Sequence, residues 1–514
     1  MNRLPLLLTL SLVTISAEAG TYKNPVIPGD FPDPSVIRVE NEYWATATSS
    51  EWGPQFPLLH STNLVDWELV GSVFEHRPDW AVANFWAPEI SAYHGKYYVY
   101  YVGRKKGGPL SVAVAMAEKP SGPYKDYGPL VSQPDGSIDP VPVTNENDER
   151  YLVWKEDGNS QRQPTIIWAQ QLTADGLKLV GEPKEILRND APWEGAVVEG
   201  PFIVHRGEWF YLFYSGSGCC GRDCSYGLGI ARAQRLLGPW EKNPANPILA
   251  GNANWKCPGH GSIVQDANER FWLLYHAYST RDFIYAGREA LLDEVKFGTN
   301  DWPTINGGKG PSAEATAPPE VMQHLQQAFK DTFADATLNP SWGWPQENEP
   351  ICRLGTAPKG GLELAQRPAF ATNLLGAILS QRTVSGNYLA TAVVDLSEPK
   401  AGSFVGLAAI GDTANAIGLT VGDGKLMLWR VQKGVHQKIV SVDAPKTEQL
   451  HLRISTTGGR LFQFSASPDG QTWITVGGVQ SGDQLPPWDR GIHVGLTVGG
   501  ARDAVGRFLS FEMR

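Results

Sequence analysis

The chain has 514 residues, long enough for more than one domain, since single hydrophobic cores rarely grow beyond roughly 250–300 residues. Its hydrophobic content of 42% supplies an ordinary globular interior. A net charge of −10, with no basic stretch interleaved with aromatics, excludes nucleic acid and anionic membrane as expected partners.

The first residues read as an export signal. Arg3 precedes a mostly apolar run over 6–15, and Ala17-Glu18-Ala19 supplies a small-x-small cleavage site. The run is too short to span a bilayer, and no cysteine follows the cleavage site to carry a lipid. Residues 1–19 are therefore expected to be removed and the protein to work secreted or in the periplasm.

A phrase then recurs five times, a turn leading into an aromatic-rich strand. It appears as Asn41-Glu42-Tyr43-Trp44, Gly95-Lys96-Tyr97-Tyr98, Glu149-Arg150-Tyr151-Leu152, Gly207-Glu208-Trp209-Phe210 and Glu269-Arg270-Phe271-Trp272, at intervals of 54, 54, 58 and 62 residues. Repetition at that period marks radially arranged sheets of about four short strands each. Residues 20–310 are thus predicted to form an all-β propeller of five blades. Most of the 18 tryptophans are expected to fill blade cores, although indole faces also suit sugar rings.

Three segments place an acid just ahead of a blade strand. They are Asp30-Phe31-Pro32-Asp33-Pro34, Ile138-Asp139-Pro140 and Val198-Glu199-Gly200-Pro201. Asp-Pro and Glu-Gly alone are turn chemistry. Three acids at comparable blade positions instead converge on one propeller face. Converging carboxylates repel, so at least one is pushed towards its protonated form. Glycoside hydrolysis needs that division: one acid protonates the departing oxygen while one carboxylate takes a proton from water.

Cys219, Cys220 and Cys224 crowd one loop, Cys257 follows, and Cys352 stands alone. The spacing lacks the paired C-x-x-C units of a metal site. A loop-pinning disulfide is expected, with Cys257 a candidate partner and the pairing open. Residues 311–324 shift to small residues and proline, the composition of a linker. Beyond them, over 325–514, alternating strands punctuated by Gly422-Asp423-Gly424, Gly458-Gly459 and Pro468-Asp469-Gly470 predict a β-sandwich.

The ordered set of Asn24-Pro25, Pro32-Asp33-Pro34-Ser35, Trp86-Ala87-Pro88-Glu89, Ile138-Asp139-Pro140, Glu199-Gly200-Pro201, Gly259-His260-Gly261, Gly287-Arg288-Glu289 and Asp301-Trp302-Pro303 resembles glycoside hydrolase family 43. The resemblance covers nearly all of 22–310. It implies a five-bladed propeller acting on arabinose- and xylose-containing polysaccharides, with a C-terminal jelly-roll (concanavalin-like) sandwich leaning on it. Residue by residue it implies Asp33 as general base, Asp139 as the group that orients and tunes the acid, and Glu199 as general acid. Trp86 would line the pocket and Arg288 would reach substrate hydroxyls. His260 would hold a weakly bound calcium or its water shell. The segment 216–224, with its cysteines, departs from the family pattern and leaves the preferred sugar open. The leading expectation is an inverting enzyme that releases a terminal α-L-arabinofuranosyl or β-D-xylosyl unit. An endo-arabinanase, another furanosidase and a silent carbohydrate-binding protein are the competing readings. Oligomeric state is not legible.

Overall fold

The computed structural model describes residues 20–298, 302–318, 323, 328–355, 360–367 and 373–514. The export signal expected over 1–19, and Asp301 of the family motif, lie outside the described residues.

Five four-stranded antiparallel sheets follow one another along the chain. Their innermost strands are Ser35–Val39, Ala81–Tyr93, Ser137–Thr144, Val198–Arg206 and Trp255–Gln265. Each touches the next and the fifth touches the first, so the sheets close into a five-bladed propeller. The recurring aromatic phrase leads into the second strand of every blade. That strand is flanked on both edges and covered on both faces. In the second blade Tyr100, Tyr101 and Val102 are wholly buried, as are Phe213 and Tyr214 in the fourth. Aromatic and β-branched side chains suit such strands because they fill the wedge between neighbouring sheets.

Every blade, the last included, draws its four strands from one continuous stretch of chain, the first being interrupted only by the short strand Trp52–Gly53. The ring is therefore not closed by a strand exchanged between its ends. A short ribbon does this work: Thr21–Lys23 pairs with Glu314–Thr316. Beside it the Asn24 amide accepts from Leu292 N–H at 2.9 Å and donates to the Leu292 carbonyl at 3.0 Å. Part of the stretch read as a linker thus belongs to the closure, because its backbone donors pair with the chain's first strand.

The second half is a sandwich of two antiparallel sheets, one of nine strands and one of six. Its inner faces alternate in the expected way; Leu450, Leu452 and Ile454 are wholly buried along one strand. Helix is confined, among the described residues, to the turn Phe283–Ala286 and three short 3-10 segments. The two halves share one apolar cluster, in which Tyr278, Ile284 and Tyr285 of the propeller pack with sandwich residues. A second ribbon crosses the seam, pairing Trp52–Gly53 with Trp344–Pro345. Trp52 also stacks on His493, ring centroids 3.7 Å apart.

Candidate active site

The innermost strands enter the propeller axis through a shared irregularity. In blades one to five Asp33, Ala87, Asp139, Gly200 and His260 each have a positive φ, between 38° and 57°. Where it can be read, the pairing slips at this point: after Trp86, after Ile138, after Glu199 and around His260. A left-handed non-glycine residue costs about 1–3 kcal/mol and persists where its surroundings over-determine it. Here the bend turns side chains from the sheet plane into the axial channel. Blade equivalence refines the expectation from sequence. Asp33 and Asp139 occupy the same position, whereas Glu199 lies one residue earlier, at the position that Trp86 takes in the second blade. Gly200 fills the slot the acids hold elsewhere. A Cβ there would stand 2.8 Å from the His260 ring, so only glycine lets that imidazole approach.

Asp33, Asp139, Glu199, Trp86, Arg288 and His260 all line one cavity of about 440 Å³. Every residue expected at the site is therefore gathered there. Asp33 sits among cations and donors. Its Oδ1 lies 3.1 Å from Arg288 Nη1 and 3.3 Å from His260 Nδ1, and its Oδ2 accepts from the Thr48 hydroxyl at 2.7 Å. Burial alone would raise its pKa, but Arg288 and His260 overcome this and hold the carboxyl well below the usual range. The His276 Nδ1 accepts the Asp33 backbone N–H at 3.0 Å. Burial pushes that imidazole down to about 4, so it stays neutral.

The opposite wall carries a coupled pair. Asp139 Oδ2 accepts Gly200 N–H at 2.8 Å. Glu199 Oε2 lies 2.8 Å from Lys155 Nζ, and its Oε1 accepts from the Tyr226 hydroxyl at 2.9 Å. Burial, only partly offset by His260, raises Asp139 to about 6, with the Glu199 charge adding to the rise. Burial acts on Glu199 too, but Lys155 outweighs it and the pKa falls. The two shifts run in opposite directions, so of the pair Asp139 is the readier to hold a proton. Lys155 escaped the sequence reading. Its signal was a lysine inside an apolar run, Leu152-Val153-Trp154-Lys155, on the strand that pairs with Ile138 beside Asp139. It is 1% exposed and bridges Asp157, at 2.8 Å, to Glu199.

Arg288 does more than face the pocket. Its backbone N–H donates to Asp30 Oδ1 at 2.9 Å, and its Nη2 donates to the Asp489 carbonyl at 3.0 Å. It thus ties the Asp33 wall to a sandwich loop. That loop brings Trp488 into the cavity lining, edge-on to Trp86 at 6.1 Å. Among the sandwich tryptophans, Trp429 is fully buried and Trp344 lies in the seam ribbon, while Trp488 is 60% exposed at the pocket.

His260 is the residue the resemblance offers to calcium. Burial would lower its pKa, but Asp139 and Asp33 raise it to about 9, so it carries a proton through neutral pH. A protonated ring whose Nδ1 faces Asp33 is a poor cation ligand. Among the described residues no group of three His, Cys, Asp or Glu side chains could hold a metal ion. The residues present fit a cation poorly, and no chemistry is routed through one. Four of the five cysteines are likewise spent on sulfur: Cys224 pairs with Cys257, pinning the loop as expected, and Cys219 pairs with its neighbour Cys220, which was not foreseen; Cys352 is free.

A five-bladed propeller with a carboxylate trio in its axial pocket, closed on one side by a sandwich, defines a glycoside hydrolase. Residues 22–303 match the family described as Glycosyl hydrolases family 43, and residues 330–501 match the Beta xylosidase C-terminal Concanavalin A-like domain. The chain belongs to family 43. It is 26% identical over 490 residues to the Xylosidase/arabinosidase 43B of Humicola insolens, spanning 89% of each chain. It is 25% identical to a non-reducing end alpha-L-arabinofuranosidase of Bacteroides ovatus, over 88% of this chain and 86% of that protein. Among solved structures, the GH43 BlXynB protein of Bacillus licheniformis superposes with a TM-score of 0.83 at 25% identity, covering 96% of this chain and 99% of that one.

Proposed function

We propose that this glycosidase acts outside the cytoplasm and releases terminal pentose units, α-L-arabinofuranosyl or β-D-xylosyl, from plant-type polysaccharides and oligosaccharides with inversion of the anomeric centre. The observation that carries this reading is the closed side of the cavity. Trp488 and Asp489 of the sandwich line the cavity together with Trp86 and Arg288, a wall that a chain continuing across the propeller would have to clear. A blind pocket takes a chain end; an endo-arabinanase needs a through-going cleft. The printed names of the relatives from Humicola insolens and Bacteroides ovatus support the choice of pentose.

In this reading Asp33, ionised by its partners, accepts a proton from a water molecule. The water oxygen bonds to the anomeric carbon as the bond to the leaving oxygen breaks, and Glu199 delivers its proton to that oxygen. A weakly basic Asp33 suffices because the water becomes acidic as its new bond forms. The pair must move its proton from Asp139 to Glu199 before reaction. A substrate oxygen that competes for Lys155 favours that transfer.

A second assignment has one observation behind it. Asp139 is the carboxyl raised to about 6, near the working range of a proton donor. Pentosyl fluorides, whose leaving group needs no protonation, separate the two. Recovery of turnover on the fluoride by Glu199→Gln assigns the donor to Glu199; recovery by Asp139→Asn alone assigns it to Asp139. Proton NMR in the first minutes of hydrolysis should show the inverted anomer. Initial release of the retained anomer would replace direct displacement with a covalent intermediate.

A further inference from the structure

The segment that departs from the family pattern is the part of the pocket wall that the reaction above leaves unused. It joins the second and third strands of the fourth blade, Trp209–Gly216 and Gly227–Ala233. The first of those strands pairs Ser215 with Glu199. The loop therefore grows from the acid's own blade, at the acid's own end. Asp33 and the attacking water belong to the first blade. A leaving group is protonated by the acid, so the loop stands on the leaving-group side.

The loop is fixed at several points. Cys224 is bonded to the buried Cys257 on the innermost strand of the fifth blade. The Ser217 and Ser225 hydroxyls close its neck at 2.6 Å. Gly221 N–H donates to the Tyr278 hydroxyl at 3.1 Å, and a Cβ on Gly221 would stand 3.1 Å from the Trp488 carbonyl oxygen. Arg222 Nη2 donates to the Asp483 carbonyl of the sandwich at 2.6 Å. Held between these anchors, the adjacent Cys219 and Cys220 are joined to each other, and both line the cavity with Trp488. Cys219 also packs against the apolar cluster shared by the two halves.

A disulfide between neighbours closes a small ring through their peptide bond. Neither side chain retains a free rotor, and no strong donor remains. What faces the pocket is a rigid, polarisable, apolar surface. Such a surface loses no side-chain entropy when covered, which is the advantage of preorganisation.

Resting on the glycosidase reading, we propose that the Cys219–Cys220 disulfide is the platform of a leaving-group subsite, which takes the C–H face of the sugar ring left behind while Trp488 borders the same space. The platform sets which acceptor sugars are cleaved from, and leaves the identity of the released pentose to the inner pocket.

The experiment compares a disaccharide with a substrate whose leaving group has no ring. For wild type and the Cys219→Ser/Cys220→Ser variant, kcat/KM is measured on xylobiose and β-D-xylosyl fluoride, or on the matching arabinofuranosyl pair. The ratio of disaccharide to fluoride should fall roughly tenfold in the variant, the size of a lost apolar contact. An equal fall on both substrates, or an unchanged ratio, overturns the subsite. Should the variant fail to fold, wild-type enzyme titrated with a phosphine reductant reads the same ratio, with peptide mapping to show which pair has opened. A fall that tracks opening of Cys219–Cys220 and reverses on reoxidation supports the platform; a ratio indifferent to that opening rejects it. Wild-type enzyme that cleaves neither pentoside pair overturns the terminal-pentose reading and the subsite with it.

Discussion

The two walls of the cavity treat their carboxylates in opposite ways. On the Asp33 side a guanidinium, a protonated imidazole and a hydroxyl converge on one acid, and its charge is locked in. On the Asp139–Glu199 side two acids share the influence of one lysine, and a proton is held near neutrality. The contrast teaches that a single buried site can run base and acid chemistry together when cations are distributed unequally among like residues.

The comparison can be broken first at the locked wall. Asp33→Asn should lower kcat/KM by about 10²–10⁴-fold on glycosides and on pentosyl fluoride alike, because both require activated water. Recovery on the fluoride would remove Asp33 from the role of base. Glu199→Gln should lose a similar factor on disaccharides and recover part of it on the fluoride, as read by steady-state kinetics on the two substrates. The walls differ again in pH response. Asp33 stays ionised, so under the proposed mechanism the pair's proton should set the pH response: a pH profile of kcat/KM should show activity below about pH 6 and its loss as pH rises past it. Lys155 favours the charged carboxylates. Lys155→Met should therefore keep the proton bound to higher pH and move the falling limb alkaline by about 1–3 units. A limb that stays in place would detach Lys155 from the pair. The smallest effect is expected at Gly200→Ala. A left-handed alanine there, pressed against His260, should cost about 1–2 kcal/mol, read as a lower urea midpoint.

Sequence patterns exposed the features that repeat. The aromatic phrase marked the five blades because each second strand meets the same two-sided burial, and Asp33 and Asp139 were visible because their Asp-Pro steps recur with the blades. Glu199 was found as well, though one residue off the equivalence, since the Gly200 bend was not distinguishable from an ordinary turn. What stayed hidden depends on distance along the chain. Lys155 reads as a stray charge in a strand until folding sets it beside Glu199, 44 residues on. Thr48 and His276 carry no motif of their own, yet both reach Asp33. Trp488 carries no motif that separates it from a tryptophan packed in a core. Only the seam, which joins residues more than 400 positions apart, turns it towards Trp86.

That seam has an evolutionary price. Tyr278, Ile284 and Tyr285 are buried jointly by both halves, and the Trp52–Gly53 strand finds its partner across the boundary. Excising the sandwich would uncover greasy surface and strip a wall from the catalytic chamber in the same stroke. The accessory half is therefore not an interchangeable cartridge: shuffling it for a different domain would demand that the propeller's flank be rewritten first.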